Sequence, residues 1–161
     1  MSTDSDGRRD FDFHMRRGRI RNRRLARRLE GCTEWLEFEA LQDAHLILGG
    51  LGNIDSFTAP DFPGGPVIGM TLRLFDPRTR LWSIYWADDR SVELQPPMVG
   101  RFENGRGLFH GDETFAGKPI KVRFLWSDLP PDAARWEQAF STDGGATWEV
   151  NWVMEFSYDR G

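Results

Sequence analysis

The stretch IKVRFLWSDLPPDAARWEQAFSTDGGATWEVNWVMEF (120–156) decides the fold. Three strand-sized runs, IKVRFLW (120–126), RWEQAF (135–140) and WEVNWVMEF (148–156), are separated by SDLPPD and STDGGAT. Each run alternates. Ile120, Val122, Phe124 and Trp126 oppose Lys121 and Arg123, and Trp136, Gln138 and Phe140 oppose Arg135 and Glu137. In the third, Trp148, Val150, Trp152, Met154 and Phe156 oppose Glu149, Asn151 and Glu155. A period of two places alternate side chains on opposite faces of a strand. Runs bounded by Gly, Pro, Asp and Ser mark antiparallel neighbours.

Working outward, MTLRLF (70–75) precedes DPRT, and LWSIYW (81–86) precedes ADD, with Trp82, Ile84 and Trp86 facing away from Ser83 and Tyr85. Further strands are expected over 67–75, 81–87, 91–95, 99–104, 107–115, 119–127, 134–141 and 148–157. EWLEFEAL (34–41) supplies an earlier strand, and HLILGGLGNIDSF (45–57) supplies two pieces broken by Gly49, Gly50 and Gly52. That makes about ten strands, within the range of small closed barrels. Their aromatic faces share one interior most simply in a closed barrel, although a sandwich also accommodates them.

The N-terminal segment reads differently. Residues 1–9 are small, polar and charged and are expected to form a disordered tail, leaving 10–158 as one β-barrel domain. DFDFHMRR (10–17) predicts a short helix capped by Asp10. RIRNRRL (19–25) leans towards a strand, because arginine stems can cover apolar surface.

The net charge of −4 is unevenly spread: residues 1–28 carry +6 and residues 29–161 carry −10. Nucleic-acid binding through the arginine block is disfavoured, since no aromatics interleave it and the body would repel a duplex. Docking against the acidic body, or a subunit interface such as a homodimer's, ranks higher. Cys32 is the sole cysteine, so neither an intramolecular disulfide nor a cysteine metal cluster is available. The opening residues lack a secretory apolar core and no run reaches membrane-spanning length, so a soluble cytoplasmic protein without membrane contact is expected.

Local motifs assign no reaction. STDGGATW (141–148) fits the S-x-D-x-G-x-T-W turn of sialidase-like propellers, but it occurs once and reads as a hairpin turn. GGLGN (49–53) lacks the following Lys and helix of a phosphate loop. His14, His45 and His110 have no second ligand at metal spacing, so no cofactor is expected. His110 and Asp112 share a strand face and are the weak candidates for a base-catalysis pair, with no nucleophile placed beside them.

The runs DFDFHMRRGRIRNRRLARRLEGCTEWLEFEA, LGGLGNID, TLRLFDPRTRLWSIYWAD, PPMVGRFENGRGLFHGDETFAGKPIKVRFLWS and RWEQAFSTDGGATWEVNWVMEF together resemble an uncharacterised bacterial family of calycin-like, lipocalin-related β-barrels. Where that family reads F-D-F-W-x-G-x-W, this chain has His14 at the first Trp, Arg17 at the Gly and Ile20 near the second Trp. The resemblance implies an antiparallel up-and-down barrel of about ten strands with a short N-terminal helix. It implies no established activity; calycins often hold small apolar molecules inside the barrel.

Three functions follow from these expectations. The first is a binder of a small apolar ligand, lined by Trp82, Trp86, Phe124, Trp136, Gln138 and Trp152. Arg73, Tyr85, Arg101 and Arg123 would be its polar anchors if the facing is reversed. Core packing explains each of these aromatics equally well. The second is a hydrolase or isomerase working in the same cavity with His110 and Asp112. The third is an interaction protein with a filled barrel.

Overall fold

The computed structural model describes residues 6–129 and 132–160. Ten strands close into one antiparallel barrel: β1 (Arg17–Leu25), β2 (Trp35–Ile47), β3 (Gly52–Ala59), β4 (Val67–Asp76), β5 (Leu81–Asp88), β6 (Met98–Glu103), β7 (Arg106–Phe115), β8 (Lys118–Ser127), β9 (Ala133–Ser141) and β10 (Glu149–Tyr158). Each strand pairs with its sequence neighbours, and β1 pairs with β10 to complete the circuit. Closure leaves no free edge. Among the described residues no helix is long and apolar enough to cross a membrane.

Strand direction gives the barrel two different ends. One end carries the longer connections 26–34, 60–66 and 89–97, and the other carries the turns after β2, β4 and β6. The N-terminal residues seal this second end. Phe11 enters the barrel and packs edge-on against Trp82 at 5.0 Å and Phe102 at 4.9 Å. The Trp82 indole N–H donates to the Gly7 carbonyl at 3.2 Å. Of the segment 1–9, residues 1–5 lie outside the described residues, and 6–9 form turns leading into this plug.

The helix expected over 10–17 is a single 3-10 turn, Asp12–His14. Two anchors leave no length for more. Phe11 is committed to the core, and β1 already starts at Arg17, paired with Asp43. The strand expected at 91–95 is absent. Val92 sits at φ 51°, and its N–H donates to the Asp88 carbonyl, so the chain turns there. The 34–41 strand instead runs on to Ile47 and breaks in a 3-10 turn at Leu48–Gly50.

Five of the ten arginines in residues 1–28, at positions 17, 19, 21, 23 and 24, lie on strand β1. Its outward residues meet acids on both sides: Arg17 stands opposite Asp43, Arg21 opposite Glu39 and Glu155, and Arg23 opposite Glu37. Opposite charges directly across a ladder stabilise a sheet modestly. Trp35 adds a stacking surface 5.5 Å from the Arg23 guanidinium.

Facing agrees with the alternation in β5, β8 and β9, and departs from it in β10. A bulge between Val150 and Trp152 shifts the register. Trp152, Met154 and Phe156 remain inside. Val150 pairs with Ala139 on the outer wall, whereas Asn151 is fully buried and bonded to the inward Gln138. A bulge inserts one residue and so reverses the face on which the preceding residues lie. Trp148 consequently packs outside the barrel, on Arg123 and His110.

Candidate ligand-binding cavity

A cavity of about 150 Å³ lies inside the barrel. Trp86, Phe124, Trp136 and Trp152 form its aromatic walls, with Ile84 and Met98 between them. Gln95 and Pro96, from the β5–β6 connection, border it at the end opposite the N-terminal plug. The rings are fixed by their neighbours. Trp136 meets Trp152 edge-on at 5.7 Å, and Phe124 at 4.9 Å. The Trp152 N–H donates to Asn22 Oδ1 at 3.0 Å, and the Trp86 N–H donates to Asp88 Oδ2 at 2.9 Å. A buried indole N–H needs such a partner, and the bond fixes the ring's orientation.

Trp86 also depends on a missing side chain. Gly69 faces it from β4, and a Cβ there would lie 2.1 Å from its ring. Only glycine leaves room for the indole to lie along that wall.

The floor of the cavity is polar. Asp55 on β3 accepts from Arg73 Nη2 at 2.8 Å, and Arg73 Nη1 donates to Asn53 Oδ1 at 2.9 Å. His14 Nε2 stands 3.4 Å from Asp55 Oδ2, and Nδ1 is 2.8 Å from the Tyr158 hydroxyl. Burial pushes the His14 pKa down from its ordinary 6.5 to about 4. The nearby Arg73 charge acts in the same direction, and the bond to Asp55 opposes it. His14 is therefore neutral at neutral pH. Since Asp55 can only accept, Nε2 carries the ring proton, and Nδ1 accepts from the Tyr158 hydroxyl. Burial also pushes the Tyr158 hydroxyl well above its usual range. Burial opposes ionisation of Asp55, but Arg73 and the bonds from His14 and Arg73 outweigh it and hold the carboxyl below its ordinary value. Gln42 completes the floor by donating to the carbonyls of His14 and Arg16.

Arg73, Trp86, Phe124, Trp136, Gln138 and Trp152 all line this cavity. Arg73 lies on the same inner face as the aromatics, while Met70, Leu72 and Leu74 point outward, so aromatic lining and polar anchor come from one face. Trp82 points inward but belongs to the plug, buried against Phe11 and Phe75. The remaining anchors are outside. Tyr85 pairs with Leu72, Arg101 reaches Glu103 at 3.8 Å, and Arg123 stacks on Trp148 at 4.7 Å. His110 and Asp112 are also on the outer wall, where Asp112 pairs with Lys121 at 2.6 Å. They do not meet the cavity.

Sequence reasoning missed His14, Gln42, Asp55 and Glu113, all of which line it. The signal for Asp55 was present: Asn53, Asp55, Phe57 and Ala59 alternate as one buried face of β3. Burial raises the Glu113 pKa. Among the described residues no group of His, Cys, Asp and Glu is arranged to hold a metal ion. No protein-family model matches the chain, and no curated protein matches it.

Proposed function

We propose that the protein is a lipocalin-like binder that holds a small, mainly apolar molecule inside the barrel. The observation that carries this reading is the unfilled volume among Trp86, Phe124, Trp136 and Trp152 in an otherwise packed interior. Pockets that bind small molecules combine apolar walls with a few placed polar groups, as here. A cavity of about this volume accepts a benzene-sized molecule. The walls are tryptophans, so the protein carries its own reporter. Titration with 2-phenylethanol should quench tryptophan fluorescence saturably, and Trp136→Ala should weaken the binding. Linear, non-saturating quenching would remove the reading.

A second reading concerns the outer wall. Ile68, Met70 and Leu72 of β4 form, with Val92 and Leu94, a shallow apolar groove outside the barrel. Exposed apolar patches of this kind serve protein contacts. Self-association into a homodimer through this wall is the use it favours. Sedimentation velocity tests it: a dimer that Leu72→Glu converts to monomer supports the reading, and a monomeric wild type removes it.

A further inference from the structure

Arg24 is an inward-facing cation without a counter-charge among the described residues. It stands opposite Trp152 in the β1–β10 ladder, so both side chains share the inner face. Its guanidinium lies 5.1 Å from the Phe62 ring centre and 5.1 Å from that of Trp152. Arg90 approaches Phe62 at 5.2 Å. Trp152 is a wall of the cavity, so Arg24 adjoins the volume where a ligand would sit.

Among the described residues no carboxylate forms an ion pair with Arg24, Arg28 or Arg90. Arg90 Nη2 donates to the Gly65 carbonyl and Arg28 Nη1 to that of Leu25. Glu30 and Glu149 act on Arg28 only at longer range, and Glu149 already accepts from the Leu29 N–H. Burial, reinforced by the like charges of Arg28 and Arg90, pushes the Arg24 pKa down to about 10, which still leaves it charged. Arg73, the other inner arginine of the site, is already held by Asp55 and Asn53.

An independent observation points the same way. Among the described residues, the buried side-chain polar atoms without a partner are Arg24 Nε, Asn53 Nδ2, Arg73 Nε and Asn151 Nδ2. All are N–H donors, so the interior is short of acceptors. A purely apolar ligand would leave that imbalance untouched, and a buried donor without an acceptor is costly.

We propose that the ligand is a small aromatic carboxylate, its ring among Trp86, Trp136 and Trp152 and its carboxylate paired with Arg24, assisted by Arg90 at the barrel mouth. This rests on the apolar-binder reading and specifies its ligand class. A guanidinium matches a carboxylate with two parallel hydrogen bonds. A half-buried guanidinium beside aromatic walls suits a monoanion better than a phosphate dianion, whose desolvation is costlier. Glu113 also lines the cavity, on β7 across the barrel from β1, and burial favours its neutral form.

The test compares phenylacetate, 2-phenylethanol and phenyl phosphate by fluorescence titration at neutral pH. Phenylacetate should bind about tenfold or more tighter than the alcohol, as expected for a charge-assisted pair. Arg24→Gln should collapse that preference towards unity, and Arg90→Gln should reduce it. Circular dichroism checks that each variant is folded; should Arg24→Gln not fold, Arg90→Gln decides. Equal binding of acid and alcohol by the wild type overturns the anion assignment and leaves the apolar binder standing. No saturable binding of any of the three removes the parent reading as well. A preference that survives in folded Arg24→Gln, or that Arg90→Gln leaves unchanged, overturns the proposed anchor. Tighter binding of phenyl phosphate overturns the carboxylate in favour of a phosphate ester.

Discussion

Gly69 and Trp86 are diagonal neighbours on the inner side of the β4–β5 ladder, and the indole fills the space a side chain at 69 would need. The shape of the cavity therefore depends on an atom that is absent. Gly69→Ala should force Trp86 off its wall and break its bond to Asp88. Overpacking of this kind costs roughly 1–3 kcal/mol. A lower denaturation midpoint together with a shifted tryptophan emission would show it; unchanged emission would mean that the wall yields instead.

Asp55 and Arg73 are a buried pair, 6% and 4% exposed. Removing one charge strands the other. Asp55→Ala should destabilise by about 3–5 kcal/mol, since Arg73 would remain buried without its partner. The double variant Asp55→Leu/Arg73→Met should lose less than Asp55→Ala alone. Urea denaturation of the set measures the difference, and a double variant worse than the single would show that the pair contributes net stability.

Acid should weaken the fold through His14. Its folded pKa of about 4 lies below the ordinary 6.5, so the unfolded chain binds its proton first as pH falls. Stability is therefore retained above 6.5, declines between 6.5 and about 4, and loses nothing further through this group below that. The total is roughly 3 kcal/mol. Asp55, whose pKa is held below 3.8, adds a separate loss at more acid pH, beneath the His14 window. In His14→Gln the stability-versus-pH slope should flatten between pH 6.5 and 5; an unchanged slope would assign it to other groups.

The β9–β10 hairpin turns on Gly144 at φ 72° and Gly145 at φ 98°. Asp143 braces it by accepting from the Thr147 N–H and hydroxyl. A β-branched residue is strained at positive φ. Gly144→Val and Gly145→Val should each cost roughly 1 kcal/mol or more. Thermal melts of both variants test this, and unchanged midpoints would show that the turn adapts.

Strand existence was legible because each run carried its own evidence of period two, and the long turns carried Gly, Pro or Asp. LWSIYW, IKVRFLW and RWEQAF each have one face aromatic enough to identify the inside, and Trp86, Phe124 and Trp136 lie where that alternation puts them. MTLRLF was ambiguous because both its faces are partly apolar. Arg73 looked like the outward residue, yet Met70, Leu72 and Leu74 are the ones on the outer wall.

The sequence alone determined that the chain is a succession of antiparallel strands with tight turns, since alternation and turn chemistry act within a few residues. Tertiary structure decided the rest. The bulge before Trp152 reverses a face without leaving a signature in composition. Closure of β1 on β10 brings His14 to Tyr158, and the β3–β4 ladder brings Asp55 to Arg73, so the polar floor is assembled from residues that are distant or merely polar in sequence. Whether tryptophans fill a barrel or surround a cavity depends on which neighbour is a glycine and where each indole N–H finds its acceptor. Those contacts are set across strands, after the barrel has closed.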